Sequence, residues 1–289
     1  MARPPRIGLA LGSGGARGFA HLVVLEAFDE LGLKPSVIAG SSMGALLGAA
    51  YAAGVPAAEI KSMVEDLYAS PDGKLLGFLM RRDFLKYADL IDPAIKHSGL
   101  IRGTKFLNFM LGHIKAKTFA DLRIPFAAVA TNFWRHAPET FHRGPLLPAL
   151  KASMAAPFVF TPEQIGESVY VDGALSNPVP WDVVAGAADI VVAVNVTDDA
   201  HEHECGMPTF GQIVAEYQGA LTRALVEERR KRIPPDIYLA PQLPGISGFD
   251  FFKVKEVYRM ALPVKDQLKR ELAACLATRR RPRRKREAR

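Results

Sequence analysis

Short apolar runs alternate along this chain with longer segments of helical periodicity, and this alternation predicts the order of its elements. Strands are predicted where apolar and β-branched residues lie between turn residues, at 7–11, 36–39, 126–130, 140–142, 168–171, 189–196 and 237–240. Helices are predicted from the 3.6-residue period at 19–31, 43–53, 147–154, 181–186, 209–231 and 253–277. Strands that alternate with helices predict an α/β fold with a mostly parallel central sheet.

Residues 57–120 interrupt this alternation. They mix helical patches with a turn signal at 71–73, and they contain two apolar clusters, at 75–80 and 106–111. We interpret the region as a helical cap over the functional site. Ordinary core helices are the alternative, because apolar helical stripes usually belong to a core. The length of the chain fits one α/β domain, at 6–278, with this cap included.

The net charge of +7 is concentrated at the C-terminus. The last eleven residues, 279–289, hold eight Lys or Arg and one Glu, so the other 278 residues are neutral as a whole. Such a segment is expected to be a disordered tail. It is either a solubilising end or a peripheral contact with anionic lipid headgroups. Nucleic acid is not an expected partner, because no basic groove with interleaved aromatic residues is indicated.

The cysteines and the hydropathy pattern bear on the compartment. Cys205 and Cys275 fit neither a metal-ligand spacing nor a disulfide framework, which favours a reducing compartment. The glycine-rich segment after residue 11 interrupts the first apolar run too early for a signal peptide. No apolar run is long enough to span a membrane. A cytoplasmic location is therefore expected, with any membrane met from its surface.

Residues 40–44 read Gly-Ser-Ser-Met-Gly and fit the G-x-S-x-G pattern. A predicted strand precedes them and an Ala/Leu-rich helix follows, which is the context that a nucleophile elbow requires. Gly40 and Gly44 flank the serine at positions where side chains would collide in so sharp a turn. Ser42 is therefore the predicted nucleophile. The alternative is a tight helix entry in which Ser42 only caps the helix.

The glycine-rich segment 12–18 also follows a strand and opens a helix. A dinucleotide fingerprint fails because Arg17 occupies the place of its third glycine and no acidic residue ends the second strand. A phosphate-binding P-loop fails because no Gly-Lys-Ser/Thr is present. An oxyanion hole remains, with the backbone N–H groups of Gly14 and Gly15 as the favoured donors. Arg17 either braces the loop, meets a lipid phosphate or forms a surface ion pair.

The general base is predicted to be a carboxylate. An α/β-hydrolase triad needs several strands before the elbow, whereas Ser42 follows only the second. No motif orients any histidine, so we interpret all seven as structural or surface residues: His21, His97, His113, His136, His142, His201 and His203. Asp172 is different, because it ends a buried strand, where ligands bind in open α/β sheets. A dry pocket would raise its pKa enough for a Ser–Asp dyad.

Taken in order, these motifs resemble the bacterial patatin-like phospholipases. The resemblance rests on the glycine-rich loop at 12–18, the elbow at 40–44 and Asp-Gly-Ala at 172–174. Shorter matching pieces extend it over roughly residues 6–196: Ala-Thr-Asn at 130–132, Ala-Ser-Met-Ala-Ala-Pro at 152–157, Phe-Thr-Pro at 160–162 and Ser-Asn-Pro-Val-Pro at 176–180.

The resemblance implies a patatin-like three-layer α/β/α sandwich and a Ser–Asp dyad that works without histidine. It assigns the nucleophile to Ser42, the proton acceptor to Asp172 and the oxyanion hole to Gly12, Gly14 and Gly15. Gly40, Gly44, Arg17 and Gly173 are the supporting motif residues. The implied activity is hydrolysis of fatty-acyl esters of phospholipids or lysophospholipids, for which no metal or cofactor is expected. Two alternatives remain, a soluble carboxylesterase or thioesterase and a regulatory protein with a vestigial site.

Overall fold

The computed structural model describes residues 3–69, 112, 114–156, 160–197, 207 and 210–280. Within them, one mixed sheet contains the strands β1 Ile7–Leu11, β2 Val37–Ser41, β3 Phe126–Asn132, β4 Ala137–Phe141, β5 Glu163–Ile165, β6 Ser168–Asp172, β7 Ile190–Val194 and β8 Ile237–Leu239. The helices in the same part of the chain are α1 His21–Glu30, α2 Met43–Ala52, α3 Ala57–Ala69, α4 Leu146–Ser153, α5 Trp181–Ala185, α6 Phe210–Arg232 and α7 Val254–Arg280.

The middle of the sheet is parallel. β3, β2, β1, β7 and β8 lie side by side in this order, and all four pairs between them are parallel. β4 and β6 both pair with β3 in the antiparallel sense, and β5 pairs with β6, also antiparallel. The carboxyl ends of the parallel strands therefore meet at one edge of the sheet, which we call the upper edge. Open α/β sheets bind their ligands there.

Helices cover both faces of the sheet, so the fold has the predicted three layers. Alternate residues of each central strand belong to two separate cores, as Leu9 and Ala10 of β1 illustrate. The larger core packs one face against α1, α2, α3, α4 and α7. The smaller core packs the other face against α5 and α6 and contains the fully buried Trp181. Burial on both faces explains why the central strands read as unbroken apolar runs.

The register of β3 brings two distant strand ends together. β4 pairs with β3 from Ala128 to Asn132 and occupies one side of it. On the opposite side, β2 pairs as far as Val129 and β6 takes over from Ala130. β2 and β6 run in opposite directions, so their carboxyl ends meet head to head. The residue pairs at this meeting are Ser41 with Val129 and Asp172 with Ala130.

The predicted elements agree with the structure except at a few places. The predicted helix 19–31 is a 3₁₀ segment, Gly15–Ala20, followed by α1. β5 was not predicted, because three residues are too few to show a period, and the predicted strand 140–142 shares only Thr140 and Phe141 with β4. The helices 43–53, 147–154, 181–186, 209–231 and 253–277 match α2 and α4–α7 to within a few residues at each end.

Part of the predicted cap belongs to the core. Ala57, Ile60 and Val64 of α3 are buried in the larger core, and so are Ile114 and Phe119. Both ends of the 57–120 range are thus core segments, as the alternative interpretation has it. Apart from residue 112, the residues between 70 and 113 lie outside the described part of the chain, and the cap remains a prediction there. Of the predicted tail at 279–289, Arg279 and Arg280 are the last residues of α7, and the rest lies outside the described part of the chain. No helix within the described ranges is long and apolar enough to cross a bilayer.

Candidate active site

Ser42 sits at the sharp turn between β2 and α2. Its backbone has φ 54° and ψ −122°, in the left-handed half of the map that side chains other than glycine rarely adopt. Such strained residues persist only where the surrounding structure holds them, and they cluster at active sites. The residue is 9% exposed. This conformation turns the hydroxyl away from the strand, as a nucleophile elbow requires.

The two glycines of the motif allow the turn to close. A Cβ on Gly40 would lie 2.5 Å from Ala45 Cα, and a Cβ on Gly44 would lie 2.2 Å from Leu11 O. Real Cβ atoms do not approach backbone so closely, so no other residue fits either position. The same contact seats the first turn of α2 directly on the end of β1. The elbow and the glycine-rich loop are therefore neighbours at the upper edge.

Asp172 faces the Ser42 hydroxyl from the end of β6. Ser42 Oγ donates a hydrogen bond of 2.6 Å to Asp172 Oδ2. The other carboxylate oxygen, Oδ1, accepts from the amide of Ala174 at 2.8 Å, which fixes the orientation of the carboxylate. Asp172 is 3% exposed. The predicted pair is thus brought into direct contact by the head-to-head meeting of β2 and β6.

Burial sets the electrostatics of this pair. Loss of water raises the pKa of Asp172 to about 6, and the hydrogen bonds from Ser42 and from the amide of Ala174 act in the opposite direction. A carboxylate with this pKa is a much better proton acceptor than an exposed aspartate, yet it is still mostly ionised at neutral pH. The arrangement can therefore take a proton from a hydroxyl without a histidine.

Ser153 is a site residue that the sequence did not single out. The amide of Ser42 donates to Ser153 Oγ at 2.9 Å, and this hydroxyl donates to Val129 O at 2.6 Å. Ser153 is the last residue of α4 and is fully buried. It ties the strained elbow to β3. The matching piece 152–157 contained this residue, but nothing in its pattern indicated that its partner lay 111 positions away.

The glycine-rich loop keeps only part of its predicted role. Gly12 N donates to Val194 O at 3.0 Å, which extends the pairing of β1 with β7. The assignment of Gly12 as an oxyanion donor is therefore wrong, because its N–H is already used. Ser13 N is likewise taken, by Pro178 O at 2.8 Å. The amides of Gly14 and Gly15 donate to no acceptor among the described residues, so both stay candidate donors.

Two buried side chains hold this loop in place. Arg17 Nε donates to Val196 O at 2.7 Å and Arg17 Nη1 donates to Ile246 O at 3.1 Å. Arg17 thus braces the loop against the end of β7, which is the first of its three predicted roles. His21 Nε2 donates to Gly12 O at 2.7 Å. Burial lowers the pKa of His21 to about 4, so the ring is neutral at physiological pH.

The histidines fall where the sequence interpretation put them, as far as the structure describes them. His21 is structural, whereas His136 and His142 are exposed. The other four histidines lie outside the described residues. Gly173, the remaining motif residue, lets the chain turn tightly after Asp172. A Cβ there would lie 2.3 Å from Val129 O.

A serine hydroxyl that donates to a buried carboxylate, with backbone amides available nearby, provides the groups that acyl transfer requires. The hydroxyl can attack a carbonyl carbon while its proton moves to Asp172. The amides of Met43 and Gly44 at the start of α2 are further candidate donors, because the first turn of a helix leaves N–H groups without helical partners. The next two amides, of Ala45 and Leu46, already donate to Ser42 O. Within the described residues, no cluster of side chains suitable for holding a metal ion is present.

Comparison with known proteins places these features in a family. A family model described as "Patatin-like phospholipase" matches residues 9–185, more than half of the chain and both members of the dyad. An uncharacterised NTE family protein of Mycobacterium tuberculosis is 37% identical over 193 residues, which cover 66% of this chain and 49% of that protein. The lysophospholipase nte1 of Aspergillus fumigatus is 26% identical over 280 residues, covering 88% of this chain and 17% of that protein.

The chain is shorter than the relatives it matches. It spans about half of the length of the mycobacterial relative and 17% of the length of the fungal one. Among solved structures, full-length ExoU of Pseudomonas aeruginosa, in complex with SpcU, aligns with 95% of this chain and 53% of its own, at 14% identity and a TM-score of 0.49.

Proposed function

The chain belongs to the patatin-like phospholipase family, and on that premise we propose that it hydrolyses the fatty-acyl ester bonds of phospholipids or lysophospholipids. The single observation that carries the proposal is the buried 2.6 Å hydrogen bond from Ser42 Oγ to Asp172 Oδ2. The substrate class is favoured by the family and by the name of the fungal relative, a lysophospholipase.

The proposed reaction has two halves. In the first, Asp172 takes the hydroxyl proton as Ser42 Oγ attacks the ester carbonyl, and the amides of Gly14 and Gly15 stabilise the oxyanion. The alcohol leaves with the proton from Asp172, and an acyl-serine remains. In the second, Asp172 takes a proton from a water molecule, which attacks the acyl-serine. The fatty acid leaves as Ser42 recovers its proton, so the enzyme ends as it began.

Each residue of the site has a role in this scheme. The strained elbow presents Oγ, and Ser153 holds the Ser42 amide so that the strain persists. Arg17 and His21 hold the oxyanion loop still while charge develops, which is the condition for electrostatic stabilisation without reorganisation. Losing one oxyanion donor typically lowers a rate by about a hundredfold or more.

A fluorophosphonate probe tests the activated serine directly, since it reacts with serines that a base has activated. We expect labelling of the wild-type chain at Ser42, and loss of that label in both Ser42→Ala and Asp172→Asn. Ser41→Ala is the matched control, because this neighbouring serine is fully buried and its hydroxyl makes no hydrogen bond to Asp172. Full labelling of Asp172→Asn would show that another group activates the serine.

Substrate choice needs a separate measurement. Rates on lysophosphatidylcholine, on vesicles of phosphatidylcholine and on a soluble short-chain ester should be compared for the wild-type chain. A clear preference for the lipids supports the proposal. Equal or better hydrolysis of soluble esters and thioesters would indicate the carboxylesterase alternative, and a folded chain with no labelling would indicate a vestigial site.

A further inference from the structure

The upper edge of the sheet, where Ser42 lies, also carries a set of exposed apolar side chains. Phe133 and Trp134 form the turn between β3 and β4 and are 43% and 75% exposed. Leu175 ends the turn that follows Asp172 and is 39% exposed, and Phe249 in the loop before α7 is 47% exposed. We call these four residues the apolar rim. Large apolar patches on a surface normally mark a binding site.

The strand register and one loop contact place parts of the rim on two sides of the Ser42–Asp172 pair. β3 runs parallel to β2, so the β3–β4 turn lies on the same edge as Ser42. Phe133 comes three residues after Ala130, the residue that pairs with Asp172. At a rise of about 3.3 Å per strand residue, Phe133 lies about 10 Å further along β3 than the dyad. On the other flank, Gly248 O accepts from the amide of Ala16, which ties the Phe249 segment to the glycine-rich loop.

The turn that carries Phe133 and Trp134, which we call the tip, is held in an exposed position by hydrogen bonds. Phe133 N donates to Val169 O at 2.9 Å and Arg135 N donates to Asn132 Oδ1 at 3.1 Å, so the turn is anchored to β6 and closed on itself. The rings of Phe133 and Trp134 meet edge to face, with centroids 4.8 Å apart. The two rings therefore pack against each other and form one exposed apolar surface.

The charges around the tip suit a lipid headgroup region. Arg135 and His136 complete the turn and are exposed, and the acidic residue on the adjacent β5–β6 turn is Glu167. Tryptophan settles at the boundary between headgroups and acyl chains, and a basic residue beside it is attracted to anionic headgroups. An interfacial anchor reaches about 5–10 Å into this boundary, which matches the height of the tip above the dyad.

From these observations we propose that the apolar rim docks the protein on a lipid surface, with Phe133 and Trp134 inserted and Ser42 facing the bilayer. The inference rests on the proposed function for its choice of partner. The described end of α7 lies away from the rim, because α7 runs beside α1 towards the edge opposite the upper edge, which we call the lower edge. Lys265 contacts Glu26 and Glu30, and α7 continues eleven residues beyond Lys269.

Trp134 itself provides the measurement. The chain has two tryptophans, and the other, Trp181, is fully buried. We expect vesicles of phosphatidylcholine with a minor fraction of phosphatidylglycerol to shift the Trp134 emission to the blue. The same lipid brominated on its acyl chains should quench that emission. The buried Trp181 serves as the unquenched reference, and Trp134→Phe should remove the response.

Variants of the rim give the second readout. Phe133→Ser with Trp134→Ser should lower vesicle affinity by about ten-fold or more in a sedimentation assay. Leu31→Ser is the matched control, because Leu31 is 38% exposed at the end of α1 on the lower edge. The vesicle affinity of this variant should stay within about two-fold of the wild-type value. Equal loss in both variants, or no loss in the rim variant, would overturn the proposal.

The outcomes also separate this inference from the proposed function. Fluorophosphonate labelling at Ser42 without quenching of Trp134 would overturn the docking proposal and support the proposed hydrolase function. Quenching without labelling would support docking and contradict the hydrolase function. A blue shift that depends on protein concentration and needs no vesicles would identify the rim as a contact between two copies of the chain, and would refute docking on lipid.

Discussion

Replacing Asp172 by Asn should make the protein inactive and at the same time more stable at neutral pH. Folding removes this carboxyl from water and raises its pKa from 3.8 to about 6. A group whose pKa is higher in the folded state favours folding while it is protonated and opposes it once it is ionised. Asparagine has nearly the same shape, can still accept the amide of Ala174, and carries no charge to bury.

The magnitude follows from the two pKa values. A difference of 3.8 against about 6 corresponds to about 3 kcal/mol, which the ionised carboxylate costs the wild-type protein at pH 8. About half of that cost is present near pH 5, and less than about 1 kcal/mol remains at pH 4. The advantage of the Asn variant in free energy of unfolding should therefore appear between pH 4 and pH 7.

Urea denaturation of both proteins across this pH range tests the prediction, because the difference between them cancels every other titrating group. Asp121→Asn provides a control of opposite sign. Hydrogen bonds from the Thr118 hydroxyl and from two backbone amides hold the pKa of Asp121 below its usual value, so this variant should be less stable than wild type at pH 7. A stability difference for Asp172→Asn that does not change with pH would refute the reasoning.

Three further results are expected. Because Asp172 must be ionised to take the proton, kcat/KM on a soluble ester should fall about ten-fold per pH unit below about 6, and a flat pH profile would contradict this role. Ser153→Ala leaves the buried amide of Ser42 without its acceptor at a cost of about 1–3 kcal/mol, so labelling at Ser42 should slow by about ten-fold or more. Gly173→Ala places a Cβ 2.3 Å from a backbone oxygen of β3 and should abolish activity, whereas Gly186→Ala, with nothing within 4 Å, should not.

The sequence predicted those parts of the site that are encoded locally. The elbow requires glycine on both sides of Ser42 and a strand and helix around it, and all of these signals lie within a few residues. Asp172 could be singled out because it ends an apolar run and because the family resemblance implies a role for it. The elements with a clear period, such as β1 and α2, were predicted for the same reason.

Contacts between distant segments could not be predicted in this way. Ser153 reaches the Ser42 amide only because α4 packs on β3, and the Gly12 amide is taken only because β7 returns beside β1. The ends of the predicted cap turned out to be core segments because α3 has apolar residues with the same spacing that a cap helix would show. A pattern reports that a face is buried, and only the fold decides what buries it.

The head-to-head meeting of β2 and β6 has a consequence for the chain while it is being synthesised and folded. The proposed nucleophile and its proposed base are 130 positions apart, and each reaches the other only by pairing with β3. A nascent chain that has emerged as far as β3 already contains the elbow sequence but has no proton acceptor. The proposed reaction therefore cannot begin until residue 172 has been made and β6 has docked on β3. Under the proposed mechanism, hydrolysis therefore requires that both β2 and β6 have paired with β3.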